Sequence, residues 1–469
     1  MRAVECLVVG GGPAGLAAAR AAAQAGVRVM LADENPELGG QYYRRPPAAF
    51  PVRDPARLGK EHAEGRKLID EVRALGVEAR LDTVVWGIFD GRTAALASGD
   101  RTERVEARTL VLAPGAYDRP VPFPGWTLPG VVTAGGAQNL MKAYRVLPGR
   151  RVLIAGSGPL LLVVAHYLLG GGARVEALCE AAPMRGLWRY AWRMLPHLNF
   201  VQQGYAYLRE LRAAGVPILT GHIVRRALGT TEVSEAVISR CDAAWRPIPG
   251  TERALEVDTV VVGYGFVPSV ELGRLAGCEH RYLADADCWI PARTAELEST
   301  VPGVFVVGDG AGVAGSAVAL AEGHLAGLAV AHRLGKLPER EYRMKAARAR
   351  GRLRHLAGFR GVMDRLYRVG GGLYTLADDE TVLCRCEEVT VREVRAAIGD
   401  GALQMNEVKA WTRTGMGRCQ GRMCGPALAR LISAATGRPL VESGSFTVRP
   451  PTKPVTLAAL MDEVPSADG

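Results

Sequence analysis

The sequence predicts an α/β fold in which one dinucleotide-binding domain is nested inside another, followed by a small helical domain that carries cysteines. Three observations predict it. A glycine turn between strand and helix opens the chain, the same pattern returns at 150–180, and four of the nine cysteines fall in the two pieces LCRCEEVT and GMGRCQGRMCG.

Composition sets the frame for these motifs. The 469 residues are 48% hydrophobic and 23% charged, which excludes a disordered chain and allows two to four domains. The 57 glycines follow no Gly-X-Y period, so they belong to tight loops such as those of nucleotide-binding folds. The first residues run straight into LVVGGG, so no signal peptide is expected, and no apolar run approaches the length of a membrane span. An odd number of cysteines in such a chain points to the cytoplasm and to thiols rather than disulfides. The net charge of +10 is concentrated: from Arg333 to Arg368 there are twelve Lys or Arg and three Asp or Glu. That segment reads as a solvated helical linker or as a dock for an acidic partner. No nucleic-acid fold signature accompanies it, so nucleic acid is not an expected partner.

ECLVVGGGPAGLAAARAAAQAGVRVMLADE reads as strand, turn, helix, strand. Gly10, Gly12 and Gly15 match G-x-G-x-x-G: the first makes the turn, the second admits a pyrophosphate to the backbone, and the third lets helix and strand pack closely. Pro13 and Ala14 then open a helix whose N-terminus faces the phosphates. Counting from Gly10, Asp33 is the carboxylate placed to bond a ribose hydroxyl, with Glu34 beside it.

Three further segments carry a resemblance. Glu37-Leu38-Gly39-Gly40-Gln41, TLVLAPGA with Ala113 and Gly115, and STVPGVFVVGDGAG with Gly308 and Asp309 stand in the order found in glutathione-reductase-like flavoproteins. The resemblance covers residues 1–335. It implies FAD at the first site, with Gly40 and Gln41 under the pyrophosphate and Asp309 at the ribityl and phosphate end.

RRVLIAGSGPLLLVVAHYLLGGGARVEALCE repeats the pattern as a second, NAD(P)-type unit. Gly156 and Gly158 are retained, so an adenine nucleotide is a candidate second ligand. The third glycine is replaced by Leu161, whose side chain is expected to widen the packing, and counting places Cys179 where the first unit has Asp33. Efficient use of NAD(P)H is therefore not expected. GGQYYRR holds no cysteine pair, so disulfide reduction is not expected either, and Cys179, Cys241, Cys278 and Cys288 read as small core residues.

Cys384, Cys386, Cys419 and Cys424 invite four readings: zinc, disulfides, a redox dithiol or an iron–sulfur cluster. A C-x4-C disulfide between Cys419 and Cys424 leaves the C-x-C pair unexplained, and residues two apart make a strained disulfide. Zinc more usually takes C-x2-C. Two thiolates in C-x-C and two more after residues 387–418 supply the four-thiolate set of a [2Fe-2S] cluster. A capping box at Thr390–Glu393 opens a helix with Val391, Val394 and Ile398 on one face, a second helix is expected over Glu407–Thr412, and a third from Pro426. Cys424 then sits at a helix N-terminus, where the dipole favours thiolate. Arg385, Arg418 and Arg422 surround the set with positive charge.

The arrangement resembles the bacterioferritin-associated-ferredoxin-like domain. The whole order, including RPVPFPGWTLPGV, GYGFVPS and the tail RPPTKPVTLAALMD, resembles the A subunits of opine oxidases, hydrogen cyanide synthase and hydroxyproline or dye-linked proline dehydrogenases. That resemblance implies an electron-transfer subunit with FAD and a [2Fe-2S] cluster. Its expected partners are an oxidase-like flavoprotein subunit that oxidises the C–N bond of a proline- or opine-like substrate, and a small ferredoxin-like subunit. No histidine has a partner that marks a catalytic base. The alternatives are a stand-alone NAD(P)H-dependent reductase and a non-catalytic nucleotide-binding scaffold. The expected division is 1–125 and 266–335 for the FAD-binding domain, 126–265 for the second dinucleotide domain, 336–378 for a basic linker, 379–440 for the iron–sulfur domain and 441–469 for a Pro-rich tail. Linker and tail are the expected contacts with partner subunits.

Overall fold

The computed structural model describes residues 1–47, 50, 60–184 and 187–462. The first sheet is built by β1 (Arg2–Val9), β2 (Val29–Ala32), β3 (Glu78–Arg80), β4 (Val84–Phe89), β5 (Thr93–Ser98) and β6 (Arg101–Leu112), in the order β3-β2-β1-β6-β5-β4. β1 pairs in parallel with both β2 and β6, and their central residues are almost wholly apolar because helices cover one face while β4, β5 and the segment 272–301 cover the other. α1 (Pro13–Gln24) lies on one face beside α2 (Lys60–Ala74).

The chain leaves this sheet through the short β7 (Ala116–Asp118) and builds a second one. Its parallel strands are β8 (Val131–Thr133), β9 (Arg151–Gly156), β10 (Arg174–Glu180), β11 (Ile218–Thr220) and, after the antiparallel trio β12 (His222–Leu228), β13 (Glu235–Arg240) and β14 (Arg253–Glu256), β15 (Thr259–Gly263). The order is β11-β10-β9-β15-β8, with α3 (Ala134–Asn139), α4 (Leu160–Gly170), α5 (Ala191–Met194) and α6 (Leu198–Ala213) along it. β16 (Phe266–Pro268) returns beside β7, antiparallel to it, and α7 (Glu271–Leu275) follows. A hairpin of β17 (His280–Leu283) and β18 (Cys288–Pro291) then leads to β19 (Val304–Val306), which pairs with β6 and rejoins the first sheet.

α8 (Ser316–Arg333) packs tightly on α1: a Cβ on Gly323 would meet the Ala14 carbonyl oxygen at 2.0 Å. The basic segment is α9 (Glu339–Leu366), which buries Tyr342, Ala346 and Ala349 in the core that α1 and α8 share. β20 (Val382–Cys384) and β21 (Val389–Thr390) open the cysteine domain, whose helices are α10 (Val391–Gly399), α11 (Met405–Thr412) and α12 (Gly425–Thr436). The capping box of Thr390 and Glu393 is formed, and Val391, Val394 and Ile398 are buried as expected. α11 starts two residues before the expected Glu407 because Gln404 and Glu407 form a second capping box. α12 starts at Gly425 with Cys424 as its N-cap.

The tail does not hang free. The Thr452 amide donates to the Trp86 carbonyl at 2.8 Å, Lys453 pairs with Glu34, and α13 (Leu457–Met461) buries Ala459 against Trp86. The tail thus covers the outer side of β4 and β5, where Trp86, Ala95 and Ala97 are buried with Ala459. Among the described residues, no helix is long and apolar enough to cross a membrane.

Candidate functional site

The four separated motifs of the first unit meet at one point. Gly10 abuts Ala113, whose carbonyl oxygen would lie 2.2 Å from a Cβ on Gly10. Gly310 faces Pro114, and Gly308 faces the Ala14 methyl at the start of α1. Gly12 and Gly40 face one another at the mouth of the two turns. Gly12 has an ordinary φ of −76°, and a Cβ there would find only the Gly40 Cα, at 3.8 Å. Neither backbone strain nor internal packing therefore requires glycine at 12, whereas a pyrophosphate lying against the two turns and the N-terminus of α1 does.

The acids of this site are already occupied in holding its loops. Asp33 is buried; its Oδ2 accepts the Gly11 amide at 2.5 Å, and its Oδ1 accepts the Asn35 amide at 2.7 Å. Glu34 points outward to Lys453. Asp309 Oδ1 accepts the amides of Ala314 and Gly315 at 2.9 and 3.2 Å; burial nevertheless raises its pKa above the usual carboxylate range. Gly308 is fixed by Glu322, which accepts its amide and pairs with Arg293. Gln41 is exposed beyond the Gly40 turn, and Gly115 leads directly into β7.

The second turn differs from its sequence reading at one position. In the pairing of β9 with β10, Glu180 stands opposite Gly156 and Cys179 opposite Ala155. A register shift between Val175 and Ala177 inserts one residue into β10, so counting from the glycine falls one short. Glu180, not Cys179, is the counterpart of Asp33. Its Oε2 accepts the Gly158 amide at 2.9 Å, while Oε1 takes the Ser157 hydroxyl at 2.7 Å and the Ala182 amide at 2.9 Å. Burial pushes its pKa up against those three bonds. Cys179 is wholly buried, as a core residue should be.

Leu161 is accommodated rather than merely tolerated. A Cβ on Gly15 would come within 1.8 Å of the Gly10 carbonyl oxygen, so the first unit has no room for a side chain there. In the second unit the Leu161 side chain lies over Gly263, the last residue of β15, where a Cβ would meet it at 3.0 Å. The first turn of α4 is tightened, with Leu161 and Leu162 amides bonding three residues back to Gly158 and Pro159.

The four cysteines converge in two pairs. Cys384 lies beside Cys424, and Cys386 beside Cys419. Cys384 and Cys424 are buried, Cys419 is partly covered and Cys386 is exposed. The neighbouring Cys424, helped by the amides of Gly415, Glu387 and Cys386 and opposed by burial, draws the Cys384 thiol down to about 6, while Cys424 is pushed well up. Among the described residues, no three His, Cys, Asp or Glu side chains converge as ligands of a single ion would. Four thiols without histidine or carboxylate are a donor set that either a zinc ion or a [2Fe-2S] cluster could take. Arg385 and Arg418 are not drawn into the fold's interior, and Arg422 is bound to Glu271 at 3.0 Å.

A buried polar hub joins the two halves, and no sequence motif announced it. Arg119 pairs with Asp287 at 3.2 Å, Arg430 of α12 pairs with the other Asp287 oxygen at 2.8 Å, and the hydroxyls of Tyr282 and Tyr374 close the group.

With this geometry in place, comparison with known proteins is decisive. The model of the pyridine nucleotide-disulphide oxidoreductase family matches residues 4–335. The chain belongs to that family. A second model, the sarcosine oxidase A3 domain, matches residues 379–463 and so takes in both cysteine pieces. Within the family the chain is similar along its full length to the A subunit of the opine oxidase of Rhizobium meliloti, with 35% identity over 98% of this chain and 99% of the relative. It is 34% identical to the hydrogen cyanide synthase subunit HcnB of Pseudomonas aeruginosa, over 97% of this chain and 98% of that one. The alpha subunit of the sarcosine oxidase of Rhizobium meliloti matches 97% of this chain at 26% identity, but only 42% of its own length. Among solved structures, L-proline dehydrogenase from P. horikoshii has the same fold, with a TM-score of 0.70, 21% identity and coverage of 98% of this chain and 79% of that one.

Proposed function

We propose that this chain is the FAD- and [2Fe-2S]-bearing electron-transfer subunit of a heteromeric dehydrogenase that oxidises an amino or imino acid at a C–N bond on a partner subunit. One observation carries the reading: a dinucleotide cradle and a four-thiol site occur together on a chain whose full-length relatives are named as subunits of opine oxidase and hydrogen cyanide synthase. Gly12, Gly40 and the N-terminus of α1 would hold the FAD pyrophosphate, and Asp309 its ribityl end. Cys384, Cys386, Cys419 and Cys424 would hold the cluster. FAD, once bound, accepts two electrons, and a [2Fe-2S] cluster passes electrons singly.

This chain's own residues supply order and insulation. Asp33 and Glu322 fix the loops around the cradle, and the buried core beneath Cys384 and Cys424 keeps water from half of the thiol site. A second reading, an NAD(P)H-dependent reductase, gains from the presence of Glu180 at the ribose position of the second turn. Anaerobic mixing of the flavin-loaded chain with NADH and NADPH separates the two. Slow or absent bleaching of the flavin is expected, and bleaching at turnover speed favours the reductase.

A further inference from the structure

α7 grips the cysteine domain at two points. Glu271 Oε1 lies 3.0 Å from Arg422 Nε, with the two side chains only 12% and 17% exposed. Arg422 Nη1 also donates to the carbonyls of Cys419, at 3.1 Å, and Thr452, at 3.0 Å. Three residues on, Arg274 donates to Ser445 Oγ at 2.6 Å and to the Phe446 carbonyl at 3.5 Å. The Phe446 ring lies directly on the cysteine loop, where a Cβ on Gly421 would meet it at 2.2 Å.

The opposite side of this grip leads to the first nucleotide site. β16, which precedes α7, pairs with β7 so that Val267 stands opposite Tyr117. Tyr117 lies two residues beyond Gly115, in β7. Its phenol is raised in pKa first by burial and next by the Glu271 carboxylate, and the Cys419 sulfur is close enough to add to the effect. β7, which begins next to Gly115, is thus tied through β16 and α7, and through Glu271 and Arg422, to the Cys419 carbonyl.

We infer that Tyr117 and the Glu271–Arg422 pair form the internal bridge by which electrons pass from the flavin to the cluster, with the ion pair as its positioning element. This rests on the reading of FAD at the first site and a [2Fe-2S] cluster at the cysteines. An apolar contact would join the two domains at least as firmly, because a mostly buried ion pair contributes little net stability. What the pair adds is a fixed register between β7 and the loop of Cys419, and a defined charge beside the sulfur. In each passage one electron leaves the two-electron-reduced flavin and enters the oxidised cluster. A one-electron acceptor, ferricyanide in the assay, reoxidises the cluster before the second electron follows, and the flavin proton goes to solvent.

The test uses the full, cofactor-loaded chain and its E271Q, R422Q, R422K, Y117F and Y117L variants, with FAD, iron and labile sulfide counted first. After flash reduction of the flavin, electron arrival at the cluster should slow by about tenfold or more in E271Q, R422Q and Y117L, the scale on which misplaced reacting groups are felt. Y117F and R422K should keep most of the rate. Cluster midpoint potentials should move in opposite directions, upward in E271Q, which removes a negative charge, and downward in R422Q, which removes a positive one. A merely loosened contact would shift both the same way. Wild-type transfer rates in E271Q and R422Q with cofactors intact would overturn the bridge. Should a glutamine variant lose its cluster, E271D and R422K decide, by retaining the potential and the rate or by losing both. Absence of FAD or iron from the wild-type chain appears in the first step and overturns the functional reading itself, and the bridge with it.

Discussion

Glu180 lies directly across from Gly156 in the pairing of β10 with β9, and its carboxylate closes over the turn that Gly156 begins. Asp33 holds the first turn in the same way through Gly11. The second turn thus keeps its acid, and a carboxylate at this point would favour a free ribose 2′-hydroxyl over a 2′-phosphate in a nucleotide bound there. NAD or ADP should bind more tightly than NADP in calorimetric titration, and E180A should weaken both. Because E180A leaves the Ser157 hydroxyl and the Gly158 amide unpaired, it should also cost about 1–3 kcal/mol of stability. Tighter binding of NADP than of NAD would contradict this role for Glu180.

Gly12→Val separates ligand binding from folding. The position has an ordinary φ and open space around its Cβ, so the change should cost only about 1 kcal/mol as an altered N-cap. The same side chain fills the space the pyrophosphate needs beside Gly40, and the purified variant should lack flavin. A flavin content equal to wild type, measured by absorbance after denaturation, would remove the first turn from the FAD site.

Burial grades the four cysteine variants. Serine at Cys384 or Cys424, both buried, should abolish the visible absorption of the cluster and its reduced-state EPR signal. Serine at Cys386 or Cys419, nearer the solvent, should leave an altered cluster with a shifted signal, because oxygen can replace sulfur there at lower desolvation cost. FAD should remain in all four. Equal iron in every variant would return the cysteines to a structural role.

Asp287 neutralises two buried or half-buried guanidiniums, those of Arg119 and Arg430, from opposite sides. Asp287→Ala leaves both charges without their partner and should destabilise the chain by about 3–5 kcal/mol, seen as a lower thermal midpoint. An unchanged midpoint would show that the hub does not hold the cysteine domain against the rest.

Truncation after Val448 removes Thr452 and Ala459 from the face of Trp86. Trp86 should become solvent-exposed, with a red-shifted fluorescence emission, and the first sheet should lose stability even in the absence of any partner. Unchanged emission would mean that the tail does not cover this face.

The nested α/β architecture was legible because glycine turns, strand–turn–helix order and a capping box are local chemistry, written in consecutive residues. Thr390 with Glu393, and the buried stripe Val391, Val394 and Ile398, turned out as their spacing requires. Cys179 was misplaced because an irregularity in β10 leaves no mark in the sequence and shifts everything after it by one. Leu161 looked obstructive because Gly263, which makes room for it, lies about a hundred residues away in sequence. The hub around Asp287 and the Glu271–Arg422 pair were invisible for the same reason: each is made of single residues from distant segments. The tail read as a contact for partner subunits because its Trp86 contact within the chain is equally remote.

Counting FAD, iron and labile sulfide on one sample of the purified full chain, together with its reduced-state EPR spectrum, tests the two-cofactor reading most directly. The expected result is one FAD per chain, iron and sulfide in equal amounts at two irons per FAD, and an EPR signal that appears on reduction. Zinc in place of iron, or a first site holding no flavin, would contradict it.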